Sequence, residues 1–101
     1  MNTDSFIFTP GKTYKIVFNN PQFEGSRFFI RRLERMERNT HCILSHDNYL
    51  TTLYNDTLYI YVTNNSYDQN GKLIVVFLYK NVLYGTRKKF LNSYGTIELI
   101  G

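Results

Sequence analysis

The feature that most constrains the fold is a run of seven apolar residues, LIVVFLY, at positions 73–79. Successive side chains of a strand point to opposite faces of a sheet, so a strand made of this run is apolar on both faces. Such a strand has to be covered on both sides. The run therefore predicts a central, buried strand over 72–79, and it is far shorter than the roughly 20 residues that a membrane-spanning helix needs.

Shorter β patterns lie on both sides of this run. Their β-branched and aromatic residues, separated by turn-forming Asn, Asp, Gly and Pro, predict strands at 13–18, 41–45, 49–54, 57–63, 82–84, 86–91 and 96–100. A chain of 101 residues can form one hydrophobic core but not two. We therefore expect a single domain over 1–101 of the mainly β class. It should be a small antiparallel β-barrel or strongly curled sheet, of SH3- or OB-like size, with at most one helix at about 27–38.

The same patterns indicate which residues form the core. Apolar residues at every second position of a strand lie on its buried face. Eight residues in three of the predicted strands meet this condition and should be mostly buried. They are Ile16, Phe18, Leu58, Ile60, Val62, Leu73, Val75 and Phe77.

Residues 27–38 can be interpreted as a helix or as a strand. As a strand they have two faces that both mix charged and apolar residues. As a helix, with about 100° per residue, the arginines separate from the apolar side chains, except that Phe28 points among the arginines. Ser26 could cap the start of this helix and Asn39 could end it. We favour the helix, and a bulged or twisted strand that continues into 41–45 is the alternative.

The net charge of +4 is concentrated in two places. Residues 27–38 hold five arginines and two glutamates, and three cationic residues follow one another at 87–89. Clustered guanidinium and ammonium groups attract phosphate-bearing polyanions. Alternatively, the arginines form a solvated outer face and the lysines protect an edge strand from aggregation. The candidate polyanion-binding residues are Arg27, Arg31, Arg32, Arg35, Arg38, Arg87, Lys88 and Lys89.

Tyr59 and Tyr61 lie on the same face of the strand predicted at 57–63. An exposed tyrosine face on a small barrel can stack nucleic-acid bases. The same alternation is also typical of aromatic side chains that pack across neighbouring strands. Tyr59 and Tyr61 are therefore candidate stacking residues, with cross-strand packing as the more frequent explanation.

Metal-binding or nucleophilic chemistry could come only from the group His41, Cys42, His46 and Asp47. On a strand, His41 and Cys42 face opposite ways, so they cannot share a metal or act as a couple. We expect no metal site, no cofactor, no catalytic residue and a buried structural Cys42. The chain is therefore expected not to be an enzyme.

The expected function is non-catalytic binding of nucleic acid or another polyanion through the arginine-rich face. The alternative is a protein–protein interaction module that uses tyrosines and arginines as anchors, such as an adaptor, a subunit or a small inhibitor of the size that phages and viruses encode. A single cysteine fits a reducing compartment, and Asp4 argues against a secretory signal. We thus expect a cytoplasmic protein that does not contact a membrane.

Overall fold

The computed structural model describes residues 7–101, so Asp4 lies outside the described part of the chain. These residues form seven strands, one α-helix and one 3₁₀ turn. The strands are β1 (Thr13–Phe18), β2 (Arg31–Glu37), β3 (His41–Tyr49), β4 (Asp56–Tyr67), β5 (Leu73–Tyr79), β6 (Val82–Arg87) and β7 (Thr96–Leu99). The helix, α1, is Lys88–Ser93, and the 3₁₀ turn is Pro21–Phe23.

All seven strands belong to one sheet, in the order β3-β2-β6-β5-β4-β1-β7. β5 is the fourth strand of the seven, which is the central position predicted for the LIVVFLY run. β3 also pairs with β4, in parallel, at His41 and Tyr67, and this contact closes a ring of hydrogen bonds through five strands, β2 to β6. The other strand pairs of the described chain are antiparallel. The predicted class, a mainly β, small and strongly curled antiparallel sheet with one helix, is confirmed.

β1 and β7 lie outside this ring. β1 pairs with β4 on one side and with β7 on the other, where Tyr14 is opposite Leu99. The N–H of Ile100 donates to the carbonyl oxygen of Thr13 at 2.8 Å. The first and last strands of the described chain are therefore direct neighbours.

β5 separates two clusters of buried side chains. Val75 and Phe77 contact the larger cluster, whereas Ile74 and Val76 contact a smaller one that contains Cys42. The larger cluster also contains the predicted core residues of β1 and β4, namely Ile16, Phe18, Leu58, Ile60 and Val62, all of them buried. Seven of the eight core predictions are therefore confirmed. Leu73 is only half-buried, because it is the first residue of β5 and borders a surface groove.

The helix predicted at 27–38 is wrong, since Arg31–Glu37 is strand β2. Two irregularities in its pairing with β3 explain the misleading pattern. Between the first and second paired positions, β2 continues by two residues, from Arg31 to Leu33, whereas β3 spans five residues, from Tyr49 to Leu44. A second shift in the pairing lies between Leu33 and Arg35. As a result, the half-buried residues of β2 are Arg31, Leu33 and Met36. These residues are separated by two and then three positions, which matches the period of neither a regular strand nor a regular helix.

Two predicted strands also need correction. The strand predicted at 86–91 ends at Arg87 and is followed by α1, because Leu91 and Tyr94, one helical turn apart, both insert into the larger cluster. The break predicted between 45 and 49 is instead a bulge within β3, in which the N–H groups of Asp47 and Asn48 donate to Ser45 Oγ. The chain leaves the sheet only after Tyr49, so 50–54 is not a strand. Among residues 7–101, the structure has no helix of the length and apolar character needed to cross a bilayer.

Candidate polyanion-binding site

A cavity of about 350 Å³ opens where β3 leaves β4. After the single parallel pair at His41 and Tyr67, β4 ends and the chain enters a loop that contains Asp68, Gln69 and Asn70. These loop residues line the cavity, and β3 lines it through Cys42, Ile43, Leu44 and His46. The cavity therefore lies beside the one residue pair that closes the ring of strands, and its apolar floor consists of Cys42, Leu44 and Ile74 from the smaller cluster.

Two arginines from neighbouring strands line this cavity. Arg31 of β2 is paired with Gly85 of β6, and Arg87 lies two residues further along β6, on the same face. Residues in this diagonal relation have Cα atoms about 7–8 Å apart. The absence of a side chain at Gly85 lets two neighbouring side chains pack closely against its backbone, because a Cβ there would lie 2.8 Å from Leu44 Cδ2 and 3.0 Å from Ile74 Cγ2. Both of those residues line the cavity.

The Arg31 guanidinium has unused hydrogen-bonding capacity. Its Nη1 lies 3.3 Å from Nδ1 of His46, which the bulge of β3 brings alongside. Its Nε is buried and has no hydrogen-bond partner within residues 7–101. Its Nη2 forms no hydrogen bond within residues 7–101 either and is not buried, so an incoming acceptor could use this donor.

Arg87 is only weakly neutralised. Its Nε lies 3.9 Å from Oδ2 of Asp68, and its guanidinium lies 5.7 Å from the centre of the Phe90 ring. The other oxygen of Asp68, Oδ1, accepts the N–H groups of Asn70 and Lys72, each at 2.9 Å. Asp68 therefore holds the loop in place, and it is the only carboxylate that lines this cavity in the described chain.

A basic groove adjoins the cavity. It has a volume of about 440 Å³ and is lined by Lys72, Arg87, Lys88 and Lys89, together with apolar and amide side chains. Lys72 was not among the residues predicted from the sequence. The pairing of Ile74 with Arg87 places Lys72, two residues before Ile74, near the start of α1, and this pairing is not visible in the sequence. Cavity and groove together bring five cationic side chains to one end of the sheet.

Three of the other predicted arginines, Arg32, Arg35 and Arg38, lie away from the cavity. Arg35 forms ion pairs with Glu34 at 3.1 Å and Glu37 at 3.4 Å, and it lies about 13 Å along β2 from Arg31. Arg38 is in the β2–β3 turn with a φ of 53°. Arg32 is exposed and paired with Tyr84, so it is on the opposite face of β2 from the cavity. The single arginine face expected of a helix therefore does not form.

Aromatic rings accompany the basic residues at the rim of the cavity. Phe28 is 61% exposed, and its ring centroid lies 6.0 Å from that of Tyr49. The Arg27 guanidinium lies 5.2 Å from the Phe28 ring and 5.4 Å from the Tyr49 ring. Phe28 did not fit the helical interpretation of 27–38, and that misfit was a sequence signal against the helix.

Tyr59 and Tyr61 are exposed but are not part of this rim. Tyr61 pairs with Leu78 of β5, whereas Arg87 pairs with Ile74 of β5. The two positions are four residues apart along β5, or about 13 Å. Tyr59, two residues further along β4, lies next to Lys15 of β1. The structure therefore separates these tyrosines from the cavity.

Cys42 is buried in the cavity floor, whereas His41 is exposed. The opposite orientation of these two residues agrees with the prediction from the strand pattern. Burial, followed by the negative charge of Asp68, raises the pKa of the Cys42 thiol from 9.0 to about 11. His46 is beside Arg31 instead of Cys42. Nowhere in residues 7–101 do three or more His, Cys, Asp or Glu side chains form a group that could hold a metal ion.

We expect Cys42 to react slowly with iodoacetamide near neutral pH. The raised pKa leaves about a hundredfold less thiolate than an ordinary cysteine, and burial adds a steric barrier. The measurement is the alkylation rate followed by mass spectrometry, with the protein unfolded in guanidinium chloride as the control. Equal rates in the folded and unfolded states would contradict the buried, protonated thiol.

Comparison of the chain with protein-family models, curated proteins and solved structures finds no match. The function is therefore inferred from the chemistry of the site.

Proposed function

We propose that this protein is a non-catalytic module that binds nucleic acid or another polyanion at the end of the sheet where the cavity and the basic groove meet. The observation that carries this proposal is the diagonal placement of Arg31 and Arg87 across β2 and β6. Three lysines of the adjoining groove extend this positive surface. Among the described side chains that line the cavity and the groove, Asp68 is the one carboxylate.

Electrostatics favours an anionic partner at this place. Two half-buried guanidinium groups on neighbouring strands repel each other, and partial burial strengthens that repulsion relative to water. A single carboxylate at 3.9 Å from Arg87 offsets only part of this repulsion. A phosphate can accept two parallel N–H donors from a guanidinium. An anion between Arg31 and Arg87 would therefore relieve the repulsion and accept a hydrogen bond from Nη2 of Arg31, which has no other partner within residues 7–101.

The proposal of a non-catalytic role rests on the side chains that line the cavity. Nucleophilic catalysis requires an activated nucleophile, and Cys42, whose pKa is raised to about 11, is protonated at neutral pH. Arginine and amide side chains bind and orient anionic ligands through hydrogen bonds. These residues suit recognition of a ligand and not its chemical conversion.

The test compares two charge reversals of equal size. In the variant Lys88→Glu, Lys89→Glu the affinity for heparin and for oligonucleotides should fall at least about tenfold at low salt. The slope of log affinity against log salt should become shallower by about one to two units, since fewer counterions are released. The variant should stay folded, because acidic residues are favourable in the first turn of a helix such as α1.

The matched control is Arg35→Glu, Arg38→Glu, which makes the same change in net charge away from the groove. We expect it to alter binding much less, with fluorescence anisotropy as the measurement for both variants. Equal losses in the two variants would show that only net charge matters. Oligonucleotide binding that survives both reversals and high salt, but is lost on replacing Tyr59 and Tyr61 with serine, would contradict binding at the groove and place it on the tyrosine face instead.

A further inference from the structure

We propose that the polyanion is single-stranded nucleic acid, and that the cavity takes one of its nucleotides in an unstacked conformation. This inference rests on the proposed function, and it adds the class of polyanion and the way in which the cavity recognises that polyanion. It depends on three features of the cavity that a purely electrostatic surface would not need: its apolar floor, its polar wall and its aromatic rim.

The cavity suits a flat, partly apolar group. Its volume of about 350 Å³ is at the lower end of the range for small-molecule sites. Cys42 and Ile74 are almost fully buried in its floor. The rings of Phe29 and Phe90 are in its wall, with centroids 4.1 Å apart. A sulfated sugar or a row of carboxylates has no planar apolar body to fill such a space, whereas every nucleobase does.

The polar part of the wall matches the edge and the phosphate of a nucleotide. Gln69 and Asn70 line the cavity from the loop after β4, and each amide side chain offers donors and an acceptor, as base edges require. Arg31 contributes its Nη2, which has no hydrogen-bond partner within residues 7–101. The nucleotide phosphate would lie between Arg31 and Arg87, and the flanking phosphates would follow the lysines of the groove.

The rim favours a single strand over a duplex. Phe28 and Tyr49 form an exposed pair of rings with Arg27 beside them, which is the combination of aromatic platform and cation that stacks unpaired bases. In a duplex the bases are stacked and paired inside the helix, so none can enter a recess without being flipped out. Duplexes should therefore bind only through their phosphates.

The first measurement uses probes of matched charge on the intact protein. We expect single-stranded oligonucleotides to bind more tightly than the duplex of equal length and than heparin of similar charge. In ¹H–¹⁵N NMR spectra, 5′-mononucleotides should shift the amide signals of Leu44 and Asn70 much more than inorganic phosphate does at equal concentration. Equal shifts from phosphate alone would overturn nucleotide binding in the cavity.

The second measurement compares two exposed aromatic residues. Phe28→Ser should weaken single-strand binding by between about fivefold and a hundredfold and leave heparin binding unchanged. Tyr59→Ser is the control, because Tyr59 is exposed to a similar extent, 57%, but is not at the rim; it should change neither affinity.

A variant that crowds the lining of the cavity, without changing any charge, tests the cavity itself. In Gly85→Ala the new Cβ crowds the side chains of Leu44 and Ile74 and leaves every charge in place. It should reduce mononucleotide binding and the preference for single strands at unchanged heparin affinity.

The outcomes separate this inference from the proposed function. If single strands, duplexes and heparin bind alike and Phe28→Ser has no effect, the inference fails while polyanion binding stands. If none of these probes binds, or if the Lys88 and Lys89 reversals have no effect, the proposed function itself fails.

Discussion

Replacing Phe77 with alanine should lower the free energy of unfolding by about 3–5 kcal/mol, as truncation of a buried phenylalanine usually does. Phe77 is 1% exposed in the middle of the central strand, and its ring stacks on that of Tyr84 with centroids 6.1 Å apart. Small domains are stable by only about 5–15 kcal/mol. The variant should therefore unfold at a much lower urea concentration, or fail to fold at physiological temperature.

The control for this prediction is Tyr59→Ala on the neighbouring strand β4. It also removes an aromatic ring, but an exposed one, so the change in unfolding free energy should be below about 1 kcal/mol. Urea denaturation followed by circular dichroism measures both variants. If Phe77→Ala unfolds at the urea concentration of the parent, β5 does not organise the core as described.

Gly95→Ala should be the other strongly destabilising change. A Cβ at Gly95 would lie 2.0 Å from the carbonyl oxygen of Val17 and 2.7 Å from the backbone nitrogen of Asn19. Backbone atoms cannot move aside as the end of a side chain can. The contact between the end of β1 and the segment after α1 would have to open, so we expect a loss of at least about 2–3 kcal/mol in unfolding free energy.

Gly11→Ala provides the comparison for Gly95→Ala. A Cβ added at Gly11 would meet no other atom within 4 Å, but Gly11 has a φ of 87°. Alanine there is therefore strained only through its backbone, at a cost of about 1–2 kcal/mol. Thermal unfolding of the two variants separates steric contact from backbone strain. A Gly95→Ala protein that is at least as stable as Gly11→Ala would mean that Gly95 is not in close contact with β1.

The central part of the fold was predictable because local pattern and tertiary environment agree there. A run that is apolar on both faces has to be covered on both sides, and the core positions of β1 and of the first half of β4 alternate without interruption. Residues 27–38 were not predictable in the same way. The first pairing shift between β2 and β3 has its extra residues in β3 and the second has one extra residue in β2, so the buried positions of β2 follow no regular period.

The candidate site was visible from the sequence only in part. Arg87, Lys88 and Lys89 are adjacent in the chain, so their clustering needed no structure. The sequence alone does not show which of the five arginines of 27–38 lies at the site. Arg31 is identified by the pairing of β2 with β6, which places it opposite Gly85. The contribution of Phe28 depends on the turn that precedes β2, and its contact with Tyr49 follows from the bulge of β3.

The pairing of β1 with β7 affects how the chain can fold as it is synthesised. β1 leaves the ribosome before both of its partners, β4 and β7, and β7 ends at Leu99. One edge of β1 therefore has no partner until β7 has also emerged. For this reason the larger cluster acquires its last side chains late in synthesis. In contrast, β4, β5 and β6 can pair earlier, because their contacts join residues that are close in the chain.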